Sequence, residues 1–296
     1  MPADVPMLAF NFLGLPEESS RYSSSHAVVL PVPYEGTVSF HSGTRRGPQA
    51  IIAASRQVEL YDERLGREPA LELGVHTLGE LELHSAGPEQ MLQRVRQAAS
   101  AILQDDKFLV TLGGEHSITS ALVEAHRKRF PKLSVLQVDA HLDLRDSWLG
   151  SPWSHASVMR RVVESGVAVQ AVGIRNVAAE EAEFLKKSGL RPVMAREVHE
   201  TRDWLDRALA GLAQDVYVTI DVDGLDPSVI RAVGTPEPGG LGWYDLLELL
   251  EAVARGRRIV GFDCVELCPQ PGDLASDFAA ARLCHQLLLL AHFPPR

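Results

Sequence analysis

Two short strings constrain this chain more than anything else in it: Asp139-Ala-His141-Leu-Asp143 and, further along, Asp221-Val-Asp223. Each follows an apolar run that reads as a buried strand, 133–138 for the first and 216–220 for the second. Side chains alternate faces along a strand, so residues two apart point the same way. Asp139, His141 and Asp143 are therefore expected to converge, as are Asp221 and Asp223. Their meeting place would be the C-terminal edge of a parallel sheet, where α/β folds place their chemistry. Four carboxylates that close cannot all ionise without cations. A metal pair is the simplest cation source, and it makes the chain an enzyme.

The rest of the sequence supplies the sheet. Apolar runs at 28–32, 108–112, 133–138, 167–173, 216–220 and 259–265 read as strands. Helical patterns at 48–59, 88–104, 118–129, 156–165, 178–187, 203–213, 243–254 and 278–291 alternate with them. Continuous apolar strands between amphipathic helices predict a three-layer α/β/α fold with a doubly wound, mainly parallel sheet. The expectation is one domain over 1–296, with its core at about 28–290. No internal repeat, low-complexity tract or long linker interrupts it. The Gly- and Pro-containing stretches 145–154 and 232–242 each follow an aspartate string, so both are expected to overhang the site and to set specificity.

Charge and cysteine content narrow the function. A net charge of −10 argues against nucleic acid as a partner; it would attract a small cation, but it reads first as a solubility feature. Cys264, Cys268 and Cys284 are an odd number at low density, so a disulfide framework is not expected, and buried free thiols are. Residues 1–16 show no basic-then-apolar leader, and the apolar run at 287–291 is too short to span a membrane. A cytoplasmic protein without membrane contact is the reading by elimination. No P-loop, dinucleotide fingerprint or Ser-His-Asp arrangement competes with the aspartates.

Gly113-Gly114-Glu115-His116-Ser117 adds one more ligand. The glycines allow a tight turn from strand 108–112 into the next helix, and His116 then projects at the edge that carries the aspartates. The strings Gly-Gly-Glu-His-Ser, Asp-Ala-His-Leu-Asp and Asp-Val-Asp-Gly-Leu-Asp-Pro together resemble the signatures of the ureohydrolase family, which includes arginases, agmatinases and formimidoylglutamases. Pro33-Tyr-Glu-Gly-Thr37, Gly43-Thr-Arg-Arg-Gly-Pro48, Gly234-Thr-Pro-Glu-Pro-Gly-Gly-Leu241 and Asp263-Cys-Val-Glu266 extend the resemblance over about 28–290.

The resemblance implies two manganese ions. His116, Asp139, Asp143 and Asp221 would hold one, and Asp139, His141, Asp221 and Asp223 the other, with Asp139 and Asp221 bridging. Oxygen-rich, thiolate-free sites with two imidazoles agree with manganese on chemical grounds. A guanidinium carbon is a poor electrophile, and coordination can lower the pKa of water from 15.7 to roughly 7. Two divalent ions, four aspartates and one hydroxide sum to roughly −1, which suits a cationic substrate. By the same resemblance Glu266 would pair with the substrate guanidinium, Asp143 would relay a proton, and His155 would shuttle one and touch substrate. Glu115 is read either as an orienting partner for a ligating histidine or as a structural residue. Asp226 reads as turn chemistry, Gly239 and Gly240 as positions of positive φ, and Arg175 as structural. Trp148 and Trp153 either line the pocket or pack the loop. Arg145 is expected to pair with a nearby acid such as Asp146.

The segment 144–161 resembles the agmatinase branch rather than arginases. It implies hydrolysis of agmatine to putrescine and urea, with N1-aminopropylagmatine giving spermidine and urea as the close alternative. Arginase or guanidinobutyrase activity follows behind these. A single-zinc, deacetylase-like hydrolase and a non-catalytic binding protein are the readings from other classes. The family also implies a homotrimer or hexamer.

Overall fold

The computed structural model describes residues 9–295. The expectation of no leader in 1–16 therefore falls partly outside the described residues. Eight strands form one sheet: β1 (Ala27–Val32), β2 (Val75–Thr77), β3 (Phe108–Gly113), β4 (Ser134–Val138), β5 (Ala168–Ile174), β6 (Val193–Met194), β7 (Asp215–Asp221) and β8 (Arg258–Val265). Their order is β2-β1-β3-β8-β7-β4-β5-β6, and every pairing is parallel. The six longer strands are those expected. β2 and β6 were not anticipated, because three and two residues are too few to show a period. Both lie at the sheet's edges, where short strands offer little template for unwanted pairing.

Successive residues feed opposite layers. Leu109 and Val135 join one buried cluster, and Val110 and Leu136 join the other. Helices α1 (Gly47–Ser55), α8 (Trp204–Ala210), α9 (Trp243–Gly256) and α10 (Leu274–His292) contribute Ile51, Ala208, Leu246 and Leu283 to the layer holding Leu136. On the other face, α3 (Pro88–Gln104), α4 (Thr119–Arg129) and α5 (Val158–Glu164) contribute Met91, Leu122 and Val158; the remaining helices are α2 (Pro69–Leu73), α6 (Ala179–Ser188) and α7 (Ala195–Glu200). This is the expected doubly wound, three-layer architecture.

Helix α10 is longer than the 278–291 read from sequence. Its start is fixed by Asp273, whose carboxylate accepts from the Ser276 N–H at 3.2 Å, an N-cap that satisfies an otherwise orphaned donor. At 19 residues it is long and apolar enough to cross a membrane by length and composition, yet it packs on α1 and β8 as a core helix.

The topology prepares the site. From β4 the chain winds outward to β5 and β6, and from β7 it steps the other way to β8, so the direction of winding reverses between β4 and β7 at the centre of the sheet. Leu112 pairs with Cys264, Cys264 with Ile220, and Ile220 with Val138, which sets the four strand ends level in one row. The residues that follow leave the sheet side by side.

Candidate metal centre

Each central strand delivers its polar residues just past that row. His116 follows β3 on a 3-10 turn, Asp139 follows β4, Asp221 ends β7, and Glu266 follows β8. Strand alternation is not what makes the aspartates converge. β4 stops at Val138, so Asp139 and Asp143 lie in irregular chain and His141 in an isolated bridge to Asn176, and Asp223 lies on a 3-10 turn after Asp221. Beyond the ladder the backbone donors need new acceptors, and the aspartates supply them. Asp139 Oδ1 accepts from the His141 N–H at 2.6 Å, and Asp221 Oδ1 accepts from the Asp223 N–H at 2.9 Å. Asp223 Oδ1 takes the Ala140 N–H at 3.1 Å, which ties the two strings together. The Gln137 amide braces Asp139 Oδ2 at 2.9 Å. Asp143 and Glu266 sit at positive φ, 54° and 65°, where non-glycine residues are uncommon.

His116 Nδ1 faces Asp139, Asp143 and Asp221 at 3.2, 3.1 and 3.4 Å. His141 Nδ1 faces Asp223 at 3.1 Å and Asp139 at 3.6 Å. The ligand atoms of His116, Asp139 and Asp221 lie within 4.8 Å of one another, as do those of Asp139, His141 and Asp223. Each group could hold a metal ion, and Asp139 belongs to both.

The second nitrogen of His116 tells which tautomer the ring adopts. Nε2 lies 2.9 Å from the Thr219 hydroxyl, and that hydroxyl donates to Asp263 Oδ1 at 2.6 Å. A hydroxyl carries one proton, so Thr219 accepts from His116 Nε2–H. Nδ1 is left buried with no hydrogen-bond partner of good geometry, among three carboxylates. A proton or a cation must sit there, and the oxygen-rich donor set fits a hard divalent ion.

Protonation energetics describe the same crowding. Burial, then the neighbouring Asp223 and Asp139, push the Asp221 carboxyl well above its ordinary value. Asp143 is pushed up to about 7 by burial and then by Asp139. Burial opposes charge on His141, but Asp139 and Asp223 outweigh it and raise that imidazole to about 12. Burial likewise opposes charge on His116, and Asp139, Asp143 and Asp221 raise it nonetheless. Without cations, protons must bind where metal would.

These groups open into a cleft of about 160 Å³, lined by His116, His141, Asp143, Asp221, Asp223, Glu266 and His155. Glu266 is nearly buried, with Oε1 accepting from the His116 N–H at 2.6 Å. Burial, then Glu115, push its carboxyl well above the usual range. His155 starts the turn before α5, and burial, reinforced by the nearby imidazoles, pushes its ring down to about 4. Both overhanging loops reach the cleft as expected, through Arg145 and Trp148 on one side and Gly234 and Thr235 on the other.

Several assignments change. Arg145 pairs with Glu180 at 3.7 Å and stacks on Trp148 at 4.5 Å; Asp146 is taken by Arg160 and Arg161 instead. Of the two readings of Glu115 the structural one agrees with its hydrogen bonds: it holds the 36–37 loop, and Thr219 with Asp263 orients His116. Trp148 lines the cleft, whereas Trp153 lines a separate one with Arg96 and Glu124. Gly239 has φ +80°, but Gly240 is required for space, since a Cβ there would lie 2.5 Å from the Leu225 carbonyl carbon. Asp226 does cap its turn, at Ser228, Gly239 and Gly240, and Arg175 binds the carbonyls of Asp223 and Glu237, both at 2.6 Å. All three cysteines are free and buried. Sequence reading gave no site role to Thr219, to Thr37 or to residues 38–40, because a threonine inside a strand or at the end of a string carries no signal of its hydrogen-bond partners.

The Arginase family profile matches residues 25–290. The chain is 38% identical to the N(1)-aminopropylagmatine ureohydrolase of Synechocystis sp., over 92% of this chain and 91% of that protein. It is 32% identical to the agmatinase of Halalkalibacterium halodurans, over 91% and 93%. The solved agmatine ureohydrolase of Thermoplasma volcanium superposes with a TM-score of 0.85 at 30% identity, over 96% of this chain and 95% of that one. By sequence along nearly its whole length and by fold, the chain belongs to the arginase family.

Proposed function

We propose that this chain is a ureohydrolase carrying two manganese ions, and that it hydrolyses agmatine to putrescine and urea. The observation that carries the reading is the paired His/Asp cluster, with a bare His116 Nδ1 at its centre and Glu266 beside it in one cleft. His116, Asp139, Asp143 and Asp221 would hold one ion. Asp139, His141, Asp221 and Asp223 would hold the other. Such a pair supplies a water-derived nucleophile at neutral pH.

The protein groups do the rest. Glu266 pairs with the substrate guanidinium and turns its carbon toward the cluster. Asp143 relays the proton of the attacking water. His155 takes a proton in the cleft and delivers it to the departing amine. A second substrate has specific support: the N(1)-aminopropylagmatine relative is more similar to this chain, at 38%, than the agmatinase at 32%. That substrate would yield spermidine and urea. The free cysteines fit the reducing cytoplasm. Association into a trimer or hexamer completes the proposal.

Urea release from the manganese-loaded protein tests it, with agmatine, N1-aminopropylagmatine, arginine and guanidinobutyrate offered in parallel. Preference for either amine supports the reading and names the substrate. Preference for arginine or guanidinobutyrate refutes it. Metal analysis should find two ions per chain; a single zinc would favour the deacetylase-like alternative.

A further inference from the structure

The hydrogen bonds around His155 determine which of its nitrogens faces the reaction. Glu115 is fully buried on the turn after β3. Its Oε2 accepts the backbone N–H groups of Gly36 and Thr37, both at 2.6 Å. Its Oε1 accepts the hydroxyls of Thr37 at 2.8 Å and Ser117 at 2.5 Å. Four donors and no competing acceptor surround this carboxylate, so the single proton of the Thr37 hydroxyl is committed to it.

The Thr37 oxygen can then only accept. Two groups approach it, both from His155: the backbone N–H at 3.1 Å and ring Nδ1 at 3.0 Å. Nδ1 must therefore carry the proton. A neutral imidazole has one N–H, so Nε2 keeps its lone pair. We propose that Thr37, held by Glu115, is a positioning residue that fixes His155 in the Nδ1–H tautomer and keeps Nε2 as the proton-accepting atom of the cleft. Neither residue touches substrate; both act through His155.

This inference rests on the shuttle role proposed for His155. With Nδ1–H held on Thr37, the ring receives and releases at one atom. The proton binds the Nε2 lone pair, and the imidazolium keeps its Nδ1–H on Thr37. It leaves from Nε2 to the amine nitrogen as the C–N bond breaks, and the ring returns to its starting tautomer. The opposite tautomer would present an N–H to the cleft and could not accept. Three segments distant in sequence hold the arrangement: the loop after β1, the turn after β3, and the turn before α5.

The test uses the full manganese-loaded chain, with agmatine and N1-aminopropylagmatine as substrates. Thr37→Val keeps the shape and removes the acceptor. It should lower kcat by about 10- to 100-fold while KM and metal content stay near wild type. Thr37→Ser should restore activity. Adding Thr37→Val to His155→Ala should cause no further loss. Glu115→Gln places an amide donor against the Thr37 hydroxyl, turns that hydroxyl toward Nδ1 and should mimic Thr37→Val. Nitrogen NMR of histidine-labelled, magnesium-loaded protein reads the tautomer directly and should find Nδ1 protonated. If Thr37→Val has wild-type kcat while His155→Ala is impaired, the Thr37 proposal falls and the His155 role stands. Wild-type turnover in His155→Ala removes the shuttle itself. A protonated Nε2, or a Thr37→Val loss that persists in the His155→Ala background, overturns the tautomer argument.

Discussion

Replacing Thr219 by Val tests whether the buried relay behind His116 is part of metal binding. Valine matches threonine in shape and removes only the hydroxyl that His116 Nε2–H reaches at 2.9 Å. The consequence differs between the two states of the site. In the metal-free protein, His116 can move its proton to Nδ1, where three carboxylate oxygens lie within 3.4 Å. If His116 holds an ion through Nδ1 as proposed, the proton would be forced onto Nε2 with no acceptor. His116 and Thr219 are both fully buried, so water cannot substitute. An unpaired buried donor costs about 1–3 kcal/mol, equivalent to about 5- to 150-fold in affinity. The loss therefore falls on the bound state and weakens manganese by roughly that factor. Asp263 keeps two hydroxyl donors, Thr119 at 2.9 Å and Tyr217 at 2.8 Å, so the fold should persist. Calorimetric titration of manganese into metal-free protein measures the effect, with Thr219→Ser as the control that keeps the oxygen. Equal affinity in the Val and Ser variants would refute the argument.

Other consequences are as direct. Asp139→Ala removes one of the two carboxylates shared by the proposed ligand sets, and the one common to both His/Asp groups of the structure, so metal analysis should find both ions lost and urea release at background; full activity would remove the site. Gly114→Ala would set a Cβ 2.0 Å from the Tyr34 carbonyl oxygen, backbone against backbone, so it should cost at least the ~1–3 kcal/mol of ordinary overpacking, read as a lowered denaturation midpoint. His126 is fully buried, and burial pushes it down to about 4 from 6.5. It is neutral in both states above its unfolded value. As pH falls from there toward 4, the unfolded chain takes the proton first and stability drops, by about 3 kcal/mol once both states are protonated. His126→Phe should flatten that part of the stability–pH curve, and parallel curves would show that another group is responsible.

The sheet was legible because its central strands bury both faces, which leaves continuous apolar runs such as 133–138 and 216–220. The edge strands were not, since Val75–Thr77 and Val193–Met194 owe their conformation to a neighbour rather than to a pattern of their own. At the site, residue types and order pointed to the cluster, but the reason given for the convergence was wrong. Side-chain alternation requires a ladder, and the ladder ends at Val138; Asp139 and Asp221 organise the chain beyond it by accepting from the residue two positions on. The partners of Arg145 and Glu115 depend on which loops meet in space, and no local string records that.

The two histidines, taken together, show one device used twice. At His116 a threonine gives its only proton to buried Asp263 and so accepts from Nε2. At His155 a threonine gives its only proton to buried Glu115 and so accepts from Nδ1. The same donor accounting yields opposite tautomers. In the first, the bare nitrogen meets the carboxylates where a cation would sit; in the second, it is the nitrogen left to accept a proton in the cleft. Each threonine is neutral, yet each converts a buried carboxylate's demand for donors into a choice of ring nitrogen. Serine should serve at either position, because only the oxygen is used. An amide in place of either carboxylate should not, because it supplies a donor where the arrangement requires an acceptor. Tautomer control would thus fall to residues that are not themselves ligands, and on this reading the site's chemistry would depend on Thr37, Glu115, Thr219 and Asp263 as well as on the six residues that would hold metal.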